Sequence, residues 1–233
     1  PTQALKSTTK PAPKGYEAIA VVTGYWRPGD DHLQQIVKAV RSKVQNGDVV
    51  TVSEKAISTA SGNIVDEKPI RPSTLARLLA EFWMRIAWAY LLGRFCHLRR
   101  KTVHRFRTYP TEEGAKHKQL ALEEAGFVQA LMHGSEGGID GSNLPYSYVS
   151  LPLKNPQDIA EVIRERILVE LGENVVVMIV DTDKTYTFRN FHFTPRPGPI
   201  RGIQFHGGVF AYLLGRFLML KARSTPVALS GSS

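Results

Sequence analysis

Asn174-Val175-Val176-Val177-Met178-Ile179-Val180 is a nearly continuous apolar run. Its length and its β-branched content suit a strand, and a strand apolar at every position implies cover on both faces. Asp181 and Thr182 follow, so the pattern predicts a carboxylate where this strand ends. Upstream, Asn155-Pro156 reads as a helix start with proline at the first helical position. Ile159, Val162, Ile163, Ile167 and Leu168 then recur at helical spacing and predict its buried stripe. Residues 146–153 alternate enough for another strand. Downstream, residues 185–193 read as a strand that Pro195, Pro197 and Pro199 stop. Residues 207–222 read as a mostly apolar helix and 226–229 as a final strand.

The first half opens strand, helix, strand. Residues 17–23 are rich in alanine and β-branched residues, and Gly24 and Pro28-Gly29 break the run. Asp30 or Asp31 can cap a helix carrying Leu33, Ile36, Val37 and Val40. Asn46-Gly47-Asp48 then turns into a strand over 49–57. Pro72-Ser73 sets up a helix from about Thr74, with Leu75, Leu78, Leu79, Phe82 and Ile86 on one side. Thr111, Glu112 and Glu113 look like a further helix start. Ala89-Tyr90-Leu91-Leu92-Gly93-Arg94-Phe95 recurs as Ala211-Tyr212-Leu213-Leu214-Gly215-Arg216-Phe217. The flanks do not match, so coincidence or a shared packing role explains the echo better than duplicated halves.

The 233 residues are 42% hydrophobic, enough for a real core. The apolar stretch at 82–92 contains Arg85 and falls well short of the roughly 18 to 20 residues a membrane span needs. Residues 1–15 lack an apolar signal region and read as a flexible lead-in to a single domain over 16–233. The one cysteine, Cys96, excludes an intrachain disulfide and fits a cytoplasmic setting. The net charge of +9 and a pI near 9.7 suit an anionic partner. Part of that charge is local: residues 94–107 hold Arg94, Arg99, Arg100, Lys101, Arg105 and Arg107, with His97 and His104 and no acid. A solvated helix face or a subunit contact would explain the run. So would an anion site using Arg99, Arg100 and Arg105.

Chemistry is carried by carboxylates at two turns. Gly137-Gly138-Ile139-Asp140-Gly141-Ser142-Asn143 is a glycine-rich turn, and Asp181-Thr182 closes the apolar strand. Asp140, Asp181 and Thr182 offer hard oxygen donors of the kind magnesium or manganese takes, and an ion so held can neutralise charge during phosphoryl transfer. The same segments are also good turn and cap sequences. Lys55, in Ser53-Glu54-Lys55, is either on a solvated face or a phosphate ligand. The histidines lack metal spacing, and no nucleophile elbow, zinc pattern or Walker loop is present.

In order, Gly29-Asp30-Asp31, Gly47-Asp48-Val49-Val50 with Ile57-Ser58, Gly138-Ile139-Asp140-Gly141-Ser142-Asn143, and Asp181-Thr182 resemble the coenzyme F-420 gamma-glutamyl ligase family. Pro152 with Asn155-Pro156 fits the same pattern. The resemblance implies an α+β fold with mixed sheets, packed helices and two intertwined subdomains, working as a homodimer. It implies a GTP-dependent ligase using Mg2+ or Mn2+, and K+, in which GTP phosphorylates a substrate carboxylate and the amine of L-glutamate attacks the acyl phosphate. By position, Asp140, Asp181 and Thr182 would hold metal, and Trp26, Arg27, Glu54, Lys55 and Asn143 the nucleotide. The chain departs from the family at Ser58-Thr59-Ala60-Ser61-Gly62, where Ser-Lys-Ala-Glu-Gly is usual. It departs again at Phe205-His206-Gly207-Gly208, where an acidic pair is usual, leaving Gln204 or His206 as stand-ins for the acid. The first expectation is therefore an amide ligase acting on an anionic small molecule. The second is an inactive ligand-binding protein on the same scaffold. Nucleic-acid binding ranks last, because the arginine run lacks a recognition motif.

Overall fold

The computed structural model describes residues 16–134 and 136–231, so the lead-in expected over 1–15 lies outside the described residues. Asp31 caps the first helix, α1 (His32–Val40), by accepting from Gln34 N–H. There follow β1 (Val49–Ser53), α2 (Glu54–Ala60), β2 (Ile64–Asp66) and α3 (Thr74–Leu78). α3 is capped by Ser73 and runs directly into a wide-turn helix with i→i+5 bonding, Leu79–Leu92. Short α4 (Gly93–Phe95), α5 (Arg100–Arg107), α6 (Thr111–Glu124) and α7 (Phe127–Ala130) come next. The chain finishes with β3 (Tyr148–Ser150), α8 (Pro156–Leu171), β4 (Val176–Phe188), β5 (Phe191–Thr194), β6 (Phe205–His206), α9 (Gly208–Phe217) and β7 (Lys221–Ser230).

The main sheet is mixed. β4 pairs parallel with β1 and antiparallel with β7 and β5, and β5 pairs parallel with β6. β2 and β3 form a separate antiparallel pair. On the first half of β4, Val177 and Ile179 are fully buried with Ile36 and Val37 of α1 and Ile163 and Ile167 of α8. The second half carries Tyr186 into another core with Met84, Trp88, Phe106 and Tyr212. A third cluster gathers Leu79, Leu120, Ala121, Ile139 and Val149. This is the α+β class expected, with packed helices on a mixed sheet.

Several local expectations are corrected. Residues 17–23 form no strand: Ile19 and Val22 are exposed and no described strand pairs with them. The strand expected over 49–57 ends at Ser53, because Glu54 starts α2. The strand expected to end at Val180 runs on to Phe188, so Asp181 lies within β4 and not at its end. It sits at an irregularity, since Asp181 pairs with Thr225 while Lys184 pairs with Ser224, so β4 holds two residues more than β7 across this stretch. Cover on that strand is full on one face and partial on the other. Residues 185–193 are a hairpin, turned at Arg189 with φ +52°. The helix over 207–222 stops at Phe217, and the last strand starts early, at Lys221. Pro226 is tolerated in β7 because that strand pairs on one side only. In α8 the buried positions are Ala160, Ile163 and Ile167, while Val162 and Leu168 face outward.

The largest correction concerns the stripe Leu75, Leu78, Phe82 and Ile86, which is exposed. The buried positions are Leu79, Ala80, Met84, Trp88 and Ala89. These positions recur at intervals of four and five, wider than the three and four of an α-helix, so the wide turn rotates the buried face away from the stripe an α-helix would bury.

Candidate functional site

β1 and β4 run parallel with Ser53 opposite Val180, so Glu54, just past the end of β1, meets Asp181, at the register irregularity within β4. The carboxyl end of a strand beside a parallel neighbour is where open sheets bind ligands. Arg196 lies between the two carboxylates: Nη2 donates to Glu54 Oε1 at 2.6 Å and Nη1 to Asp181 Oδ2 at 2.5 Å. All three side chains are under one tenth exposed. Arg196 Nε is buried without a partner. Glu54 Oε1 also accepts from Leu153 N–H at 2.9 Å. Burial pushes its carboxyl above the usual range, against the pull of Arg196.

The glycine-rich turn closes over this pair. Gly138 has φ +99°, and a Cβ there would collide with Arg196 Nη1, so this position needs glycine for both its conformation and its close approach. Asp140 is tied to β3 through reciprocal backbone bonds with Ser150, 3.1 and 3.0 Å. Its Oδ1 accepts from Ser142 N–H at 2.8 Å, and its Oδ2 accepts from Ser142 Oγ at 3.0 Å and pairs with Lys55 Nζ at 3.0 Å. Burial pushes the Asp140 carboxyl up, but the Ser142 donors and Lys55 outweigh it and hold the group below its ordinary value. Lys55 Nζ donates as well to Ser142 Oγ at 2.8 Å and to the Ser142 carbonyl. Tyr25 Oη donates to the Asn143 carbonyl at 3.1 Å, and Asn143 itself adopts φ +63°.

The sequence candidates therefore divide. Glu54, Lys55, Asp140, Asp181 and Asn143 are brought to one end of the sheet through Arg196, Ser142 and Tyr25. Thr182 is beside them, its N–H donating to Asp181 Oδ1 at 2.6 Å and its side chain exposed. Arg27 is exposed, and Trp26 is buried against the first core with Nε1 unpartnered. Gln204 donates to Thr185 Oγ1 at 3.0 Å and His206 meets Gln129 at 2.9 Å, so both stand-ins for the missing acid are committed to other partners. Thr59 is buried and bonds back to the Lys55 carbonyl at 2.8 Å. Arg99, Arg100 and Arg105 are exposed on and before α5 and take no part in the hydrogen bonds and ion pairs described for the carboxylate cluster.

Arg196 is the residue sequence reading missed. Its signal is its place between Pro195 and Pro197, which fix the backbone around it. A second buried network was also missed. His117 bridges Glu67 at 2.5 Å and Glu136 at 2.9 Å, and Lys118, with no exposure, reaches Glu136 at 2.7 Å. Glu136 bridges to Ile139, so this network anchors the start of the Asp140 turn.

Asp140, Asp181 and Glu54 are hard oxygen donors, the right chemistry for a divalent ion that takes carboxylates. Among the described residues no three His, Cys, Asp or Glu side chains form a ready metal-holding group, because Lys55 and Arg196 engage the carboxylates as counter-ions. The unpartnered Arg196 Nε leaves donor capacity for an incoming anion. The residues thus fit a metal in donor type and fit an oxyanion through Lys55 and Arg196. No helix among the described residues is long and apolar enough to cross a membrane.

Comparison with known proteins gives a consistent answer. The family described as F420-0:Gamma-glutamyl ligase matches residues 20–217. An uncharacterized protein of Methanocaldococcus jannaschii is 39% identical over 223 residues, 92% of this chain and 76% of that one. The coenzyme F420:L-glutamate ligase of Methanopyrus kandleri is 25% identical over 168 residues, and that of Archaeoglobus fulgidus 29% over 157. Each of these two alignments covers 67% of this chain and 55% of the ligase, so the chain spans about half the length of the named ligases.

Proposed function

The chain belongs to the F420-0:gamma-glutamyl ligase family, and we propose that it is an amide ligase joining L-glutamate, or another amino acid, to a substrate carboxylate at the expense of a nucleoside triphosphate. The observation that carries this reading is the cluster of Glu54, Asp181 and Asp140 with Lys55 and Arg196 where β1 ends beside the register irregularity of β4. A site of carboxylates masked by movable cations suits phosphoryl transfer, where catalysis is mainly positioning and charge neutralisation.

In the proposed reaction an oxygen of the substrate carboxylate attacks the γ-phosphorus of GTP. The bond to the bridging oxygen breaks and GDP leaves with its electron pair. The neutral amine of glutamate then attacks the acyl carbon, a C–N bond forms, inorganic phosphate departs and the nitrogen loses a proton. Lys55 turns its donors to phosphate oxygens, which frees the facing oxygen of Asp140, and the unpartnered Nε of Arg196 adds a donor while its Nη1 keeps hold of Asp181. Asp140, Asp181 and Thr182 would hold magnesium or manganese, which would supply further positive charge to the phosphates. The exposed side chains beside Tyr25 and Asn143 line the approach for the nucleoside.

The test is calorimetric titration of GTP, with and without manganese, into wild type and Asp140→Ala. Manganese-dependent binding that Asp140→Ala weakens at least about tenfold, a loss of about 1.4 kcal/mol, supports the reading. Binding indifferent to both manganese and Asp140 would refute it. A binding protein without turnover is the second reading, motivated by Thr59 in place of the usual lysine and by the commitment of Gln204 and His206 elsewhere. It predicts GTP binding with no release of GDP when glutamate and candidate carboxylates are supplied.

A further inference from the structure

We propose that the groove between the wide-turn helix and α5 is a binding site for a phosphorylated small molecule. The groove has a volume of about 760 Å³, within the range of pockets that take a ligand of cofactor size. Its basic side chains are those of Arg94, His97, Arg100, His104 and Arg107, and no carboxylate lines it. Arg100, His104 and Arg107 stand one and two turns apart on α5, so they share a face. Arg99, Lys101 and Arg105 do not line the groove. Five of the eight basic residues of the run thus line one concave surface.

Three features favour phosphate. Guanidinium groups present a planar fork that matches phosphate oxygens two at a time, and three of them converge here. One is already ordered: the Arg107 guanidinium stands 4.7 Å over the Tyr90 ring, which lowers the entropy cost of engaging a ligand. The floor includes Ala89 and Val103, and Tyr90 leaves much of its ring exposed, so an organic portion has an apolar surface to lie on. The groove shares no residue with the cluster of Glu54, Asp140, Asp181 and Arg196, and the inference does not depend on the ligase reading.

The experiment is arginine footprinting of the intact wild-type chain with phenylglyoxal, read peptide by peptide by mass spectrometry, with inorganic pyrophosphate as the probe. Pyrophosphate should slow modification of Arg94, Arg100 and Arg107 by about tenfold, as expected for guanidiniums held in charge-assisted forks, and leave Arg99 and Arg105 unchanged. Protection should persist in Lys55→Ala, which separates this site from the carboxylate cluster. Arg100→Glu should abolish it at Arg94 and Arg107. Absent protection, or equal protection of Arg99 and Arg105, would overturn the proposal. Equal protection by citrate would overturn the phosphate assignment, and stronger protection by a single-stranded RNA oligonucleotide would make the groove a nucleic-acid surface instead.

Discussion

Removing the Arg196 guanidinium would leave Glu54 and Asp181 facing each other in a buried place without a counter-ion. Breaking a buried pair in this way is expected to cost about 3–5 kcal/mol, so Arg196→Met should lower the urea midpoint strongly, and Arg196→Lys should restore only part of it because an ammonium cannot bridge two carboxylates as a fork. Gly138→Ala should also destabilise, since the new Cβ meets both a strained φ and the same guanidinium. Two histidines give the stability a pH dependence of opposite sign. Burial alone would push His117 down, but Glu136 and Glu67 raise it from 6.5 to about 10. Its contribution is therefore present below pH 6.5 and lost as pH rises towards 10. Burial lowers His133 from 6.5 to about 4, so its contribution is present above pH 6.5 and lost as pH falls towards 4. Denaturation midpoints measured across this range should peak near neutrality, and His117→Gln should flatten the alkaline side.

The wide-turn helix is where element-level reading went astray. Leu75, Leu78, Phe82 and Ile86 satisfy an α-helical stripe, and nothing in residue identity announces that the hydrogen bonds shift to i+5 after Leu78. Only the tertiary demand of Trp83 and Trp88, whose indoles both donate to the Leu131 carbonyl at 2.8 and 2.9 Å, reveals the rotated face. The consequence is measurable: Trp88→Ala should cost about 3–5 kcal/mol, while Phe82→Ser should stay within about 0.5 kcal/mol. An α-helical register would reverse that order. By contrast the starts of α1 and α8 were legible because their signals, the Asp31 cap and Asn155-Pro156, act within a few residues. The heptapeptide echo also finds its explanation at this scale. The two copies pack against each other, with the Phe95 and Phe217 rings 6.3 Å apart, and Gly215 is small because the Tyr186 ring lies against it.

At the scale of the whole molecule, β4 joins two cores, Val177 and Ile179 in one and Tyr186 in the other. Half of the site was legible because Asp140 and Asp181 sit in turn-like sequences. The other half was not, because Arg196 reaches Glu54 across 142 positions of chain, and pairing at such separation is set by the fold. The register break of β4 at Asp181 to Lys184 makes a further prediction. In native-state hydrogen exchange, the amide of Thr182 should exchange faster than those of Val177 and Ile179 on one side and Tyr186 on the other. Mechanically, the strand is two stiff levers meeting at a fulcrum, and Asp181 is seated on it. Any tilt of one core against the other would therefore be felt first as a change in the grip of Arg196, so a ligand that rocks the levers and a ligand that takes the guanidinium would compete for the same motion.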